Sequence, residues 1–158
     1  MIPPRRMRPA ALSSAALALL AAGCLGGGSA TSSSRPQLTR AQYVTAAGAI
    51  CQRYQQRITA LGASNDLAEL ADQGAKAVAL ERAEVKEVRG LAPPEADADA
   101  IDRMLKAVEA ATVAGDALVT AARSHDESAV ADAAATLRSQ LAVANRLAKP
   151  FGLDVCAR

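Results

Sequence analysis

Between residues 38 and 151 the apolar positions recur every three or four places, the spacing that lays one stripe along an α-helix. The first stripe is Tyr43, Ala47, Ile50, Tyr54, Ile58 and Leu61. Ahead of it Thr39 and Gln42 form a capping box, Leu38 and Tyr43 can form a hydrophobic staple, and Gly62 ends the helix. A second helix runs from about Asp66 to Arg89 on Leu67, Leu70, Gly74, Val78, Val85 and Val88, with Glu81 interrupting the apolar line. Gly90 stands where a left-handed cap belongs, and Ala92 to Pro94 forbid continuation. "EADADAID" opens a third helix, with Ile101, Met104, Val108, Ala111, Gly115, Leu118 and Ala122 on one side. Ser124 and Glu127 predict another capping box at a break near His125. The fourth stripe, Val130, Ala134, Leu137, Leu141, Ala144, Ala148 and Phe151, steps by four and three without a slip until Pro150 and Gly152 release a tail, "FGLDVCAR". Four helices of about 23 to 28 residues, short turns and no strand-like alternation predict an all-α fold, a four-helix up-down-up-down bundle over residues 38–158.

The first 24 residues follow another pattern. Arg5, Arg6 and Arg8 precede "PAALSSAALALLAAG", an uncharged run whose apolar part is about 14 residues, short of the roughly 20 a membrane-crossing helix needs. A basic segment, a short apolar run and the small residues Ala21, Ala22 and Gly23 make a cleavable export signal. Because the small residues run directly into Cys24, the segment resembles the lipobox of bacterial lipoproteins. That resemblance implies that residues 1–23 are removed and that Cys24 carries a diacylglyceryl thioether, its new amine often acylated too. Two chains would hold the protein on the extracytoplasmic face of the cell membrane. Residues 25–37, "LGGGSATSSSRPQ", are too poor in apolar surface to order themselves and read, with Cys24, as a flexible tether.

Cleavage changes the charge. It removes three of the 18 basic residues and none of the 16 acidic ones, leaving a net charge of −1, so the precursor's pI of about 8.6 gives no argument for nucleic acid as a partner. It also settles the cysteine count. With Cys24 lipidated, Cys51 and Cys156 remain, and in an exported chain they predict a disulfide. Cys51 lies 12 residues beyond Thr39, about 18 Å along the helix. From Pro150 the tail spans at most about 20 Å, so the bond is reachable only if the tail lies along the first helix.

Candidate chemistry is sparse. His125 is the one histidine, and in "SHDES" it reads as a solvated turn residue, with no second His or liganding Cys to make a metal site. There is no Glu-x-x-His pair for a di-iron bundle and no C-x-x-C-H for haem. A calcium loop counted from Glu95 would need Gly and Glu where Ala100 and Lys106 stand, so Glu95, Asp97, Asp99 and Asp102 read as acids at a helix N-terminus. Without a nucleophile elbow, a phosphate loop or an acid and base set, the expectation is a protein with no enzymatic activity, no metal and no cofactor.

The first helix is the unusual element. It carries Arg40, Arg53 and Arg57, no acid between Thr39 and Leu61, and two of the three aromatic residues. Tyr43 and Tyr54 lie about three turns apart on one face. They are either core residues or, with Arg53 and Arg57, a candidate binding face, since Tyr and Arg anchor interfaces. Elsewhere alanine lets helices pack closely, and surface recognition is expected in preference to an enclosed site.

Together "QYVTAAGAICQRY", "LAPPEADADAIDRML" and "PFGLDVCAR" resemble the small alanine-rich helical lipoproteins and secreted proteins of high-GC Gram-positive bacteria. These similarly place a cysteine in the first helix, a Leu-x-x-Pro break midway and a Gly-Leu-x-x-Cys tail. The resemblance implies the disulfide and the location but no activity. The functional expectation is a membrane-anchored, non-enzymatic binding or scaffold module with an envelope protein as partner; the alternative is a small-ligand or sensing module on the Tyr and Arg face.

Overall fold

The computed structural model describes residues 36–156. They form α1 (Arg40–Thr59), α2 (Leu67–Arg89), α3 (Ala98–Arg123) and α4 (Glu127–Ala148), with no strand among the described residues. The expected leader, Cys24 and the tether as far as residue 35 lie outside them.

Local chemistry sets most helix ends where the pattern puts them. Thr39 Oγ1 accepts the Gln42 N–H at 3.3 Å while the Thr39 N–H donates to Gln42 Oε1 at 2.9 Å, a complete capping box. Asp66 caps α2 by accepting the Glu69 N–H at 2.8 Å. Gly62, at φ 82°, turns the chain away from α1 through the left-handed region. Two ends differ from expectation. Gly90 is right-handed at φ −69°, its N–H tightening the last turn of α2 onto the Lys86 and Glu87 carbonyls; the Pro93–Pro94 pair stops the helix without a left-handed residue. Ser124 does not cap α4. It ends α3, with Oγ donating back to the Thr120 carbonyl at 3.0 Å, and Asp126 caps α4 by accepting the Ala129 N–H at 2.9 Å. Between them His125 takes φ 54°, the left-handed residue that reverses the chain, so the cap falls two places later than the capping-box pattern puts it.

The ends of the helices meet as an up-down-up-down bundle requires. The Leu38 N–H donates to the Ala92 carbonyl at 3.0 Å, and the Arg40 guanidinium donates to the Pro150 carbonyl at 3.0 Å and lies 3.5 Å from Asp97. The start of α1, the α2–α3 connection and the end of α4 therefore share one end of the molecule. α3 is the central helix, packed on α2 on one side and α4 on the other. Small residues set the α2–α3 separation. A methyl group added at Gly74 would lie 2.9 Å from Val119 Cγ2, and one added at Gly115 would lie 3.0 Å from Val78 Cγ2.

α1 packs on α2, and on its other side the C-terminal turn Asp154–Cys156 wedges between α1 and α4. Leu153, fully buried, anchors that wedge, and Cys51 is disulfide-bonded to Cys156 with the Cα atoms 5.0 Å apart. The tail thus lies along α1, as the reach argument demands. One consequence shows in α4. Its repeat is the cleanest in the sequence, yet only Ala144 and Ala148 are buried, while Val130, Leu137 and Leu141 are half-buried.

Candidate functional site: an apolar cavity beside two acids

The Tyr and Arg face separates into core and surface. Tyr43 is 1% and Tyr54 8% exposed, both within the main hydrophobic cluster with Ala47, Ile50 and Met104. Arg53 and Arg57 are exposed, and both guanidiniums lie over the Tyr54 ring, 5.5 and 5.3 Å from its centroid. Arg53 is also paired with Glu87 at 2.6 Å, across to α2. The arginines cover the outer edge of a core tyrosine and tie two helices together. Burial pushes the Tyr43 hydroxyl up to about 12, and its oxygen has no hydrogen-bond partner. It stays protonated at any physiological pH.

A cavity of about 230 Å³ lies elsewhere, between α2, α3 and α4. Leu70, Val78 and Glu81 face it from α2; Ala111 and Leu118 from α3; Leu137 and Leu141 from α4; Cys156 closes one part of the wall. Small residues were expected to leave little room for a large enclosed site; the space found is small, and the reason it exists is geometric. Helices behave as stiff rods whose separation is fixed by their closest contact. Once Gly74 and Gly115 seat α2 on α3, the neighbouring Ala77 and Ala111 have no bulk to fill the space at the three-helix junction. The half-buried Leu137 and Leu141 are the far wall of that space.

Glu81, which interrupts the apolar stripe of α2, is the ionisable residue lining the cavity. Glu84 lies one turn on, 2% exposed, and its Oε2 accepts no hydrogen bond. Its carboxylate and the sulfurs of Cys51 and Cys156 all lie within 4.8 Å of one another, so the acid sits directly behind the part of the cavity wall that Cys156 makes. Burial, with a smaller push from Glu81, raises the Glu84 carboxyl to about 8; burial raises Glu81 to about 7. Among the described residues no Lys, Arg or His pairs with either acid. Three cations of α2 are used outward, Lys76 on Asp72, Arg82 on Asp116 and Arg89 on Asp102 and Glu109, and the fourth, Lys86, is exposed and pairs with neither acid. Two carboxyls are therefore held in an apolar setting with no counter-charge, an arrangement that costs stability and is retained where something compensates it.

Cys51, Glu84 and Cys156 have the atom types of a metal site, but with the two sulfurs bonded to each other neither is a thiolate free to coordinate. His125 is exposed at the α3–α4 turn, and its two neighbours in sequence are the helix-ending Ser124 and the capping Asp126. Of the cavity residues, Glu81 was visible in the sequence as a break in the stripe. Glu84 was not singled out, although it stands three places after Glu81 and four before Val88, the spacing of the inward face. The chain matches no protein-family model, no curated protein and no solved structure.

Proposed function

We propose that this protein is a non-enzymatic binding module of the cell envelope, lipid-anchored through Cys24 on the extracytoplasmic side, that takes a small apolar ligand into the cavity between α2, α3 and α4. The cavity is the observation that carries the binding role: a concave, apolar space with an ionisable group at its wall is the usual form of a small-ligand site. The location is supported by the order of basic, apolar and small residues ahead of Cys24 and by the tether that follows. The Tyr and Arg face is a weaker candidate, since both tyrosines are committed to the core and Arg53 to Glu87.

The test uses the full-length chain with Cys24→Ser, which removes the acylation site and allows work without detergent. Octanol is expected to raise its melting temperature in a concentration-dependent way, because a ligand that binds the folded form stabilises it by mass action. Leu141→Trp, which puts an indole into the cavity, is expected to abolish that rise while leaving helicity intact. A melting temperature indifferent to octanol sinks the cavity as a binding site.

A further inference from the structure

A ligand that satisfies this cavity must do two things, fill an apolar space and answer two unpaired carboxyls. The space is about 230 Å³, below the roughly 300 to 1,000 Å³ of sites for drug-sized molecules, which suits one alkyl chain better than a ring system. The walls from α3 and α4 offer it side chains such as Ala111, Leu118, Leu137 and Leu141. Thr112, also on the wall, spends its hydroxyl on the Val108 carbonyl at 3.0 Å and has no proton left to donate to a ligand. The charged group left to recognise a head group is the Glu81 carboxyl, with the Thr112 oxygen able only to accept and Glu84 behind the Cys156 wall.

The charge decides the rest. An anionic head would meet two acids and no cation. A neutral hydroxyl would accept or donate one hydrogen bond and leave the acids holding their protons. An ammonium brings the missing cation, and in a low-dielectric setting its hydrogen bonds to a carboxylate are short and strong. We propose that the cavity takes an alkylammonium amphiphile, a single apolar chain ending in a cationic amine, with Glu81 as the direct counter-ion and Glu84 as a second negative charge behind it. The proposal rests on the cavity being a binding site, and it adds the sign and form of the ligand. On binding, the amine supplies the cation that the fold withholds, so the two acids can lose their protons without being stranded.

Octylammonium and octanoate, each below its micelle concentration, and octanol, below its solubility limit, share the chain and differ in the head. Calorimetric titration into the full-length Cys24→Ser chain is expected to show octylammonium binding about ten-fold more tightly than octanol, with octanoate weakest. Glu81→Gln keeps the shape of the wall and removes the charge. It is expected to bring octylammonium down to the octanol level while octanol binding is unchanged, and Glu84→Gln to reduce the preference in part. Glu84→Gln removes a buried acid and Glu81→Gln a half-buried one, and both variants are expected to fold, which circular dichroism checks. If octanol binds as well as octylammonium, or octanoate binds best, or the preference survives Glu81→Gln, the cationic assignment is overturned and the cavity survives as an apolar site. If none of the three binds, the cavity reading and this inference fail together.

Discussion

At the scale of single residues, the position that matters most is Glu84. A side chain that ranks among the most polar is 2% exposed, beside a disulfide, with one carboxyl oxygen unpartnered. Its proton is held to about 8 in the folded chain against an ordinary value of 4.5. Between those values the folded form keeps a proton that the unfolded form releases, so folding is progressively penalised as pH rises. The contribution of the protonated acid is whole below about 4.5 and lost above about 8, and Glu81, raised to about 7, acts in the same direction. The protein is therefore expected to melt at a higher temperature at pH 5 than at pH 8.5. Glu84→Gln should flatten that dependence and raise the melting temperature most at the alkaline end; an unchanged slope in thermal melts across this range would refute the assignment. Glu84 was not singled out in the sequence, although its spacing from Glu81 and Val88 suits the inward face, and its lack of a partner depends on residues from other elements.

At the scale of elements, the starts of α1, α2 and α4 are governed by short polar side chains acting over three residues, while α3 starts without a side-chain cap. The α3–α4 turn gives a direct comparison, because two candidates stand two places apart. Asp126 accepts the Ala129 N–H and Ser124 does not cap. Asp126→Ala is expected to cost about 1 kcal/mol of stability by chemical denaturation, and Ser124→Ala only a few tenths. Equal costs would return the cap to Ser124. The capping box at Thr39 was legible because both of its partners lie within one turn. The cap of α4 was misplaced because the left-handed conformation of His125, which the sequence does not announce, moves the start of the helix.

At the scale of the whole molecule, the ring of helices is closed by a tail. The bond between Cys51 and Cys156 ties the C-terminal turn to α1 across 105 residues, and on the chain-entropy model such a loop is worth about 4 to 5 kcal/mol. Cys51→Ala with Cys156→Ala is expected to lower the melting temperature by more than ten degrees and to loosen the contact of the tail with α1. Intact mass of the protein extracted from membranes, before and after reduction and alkylation, is expected to show one disulfide, loss of residues 1–23 and a diacylglyceryl group on Cys24. The precursor mass with all three thiols alkylated before any reduction would remove both the clamp and the anchor. Most helix positions, the all-α class and, with Cys24 assigned to the anchor, the pairing of Cys51 with Cys156 were legible in the sequence, because periodicity, caps and a cysteine count are local or combinatorial properties. The tertiary structure alone decided that the tyrosines are core, that α4 is half-covered and that a cavity with unpaired acids lies beside the disulfide. Those outcomes depend on how three stiff helices meet once Gly74 and Gly115 have fixed two of them, a packing relation between distant residues that no spacing along the chain encodes.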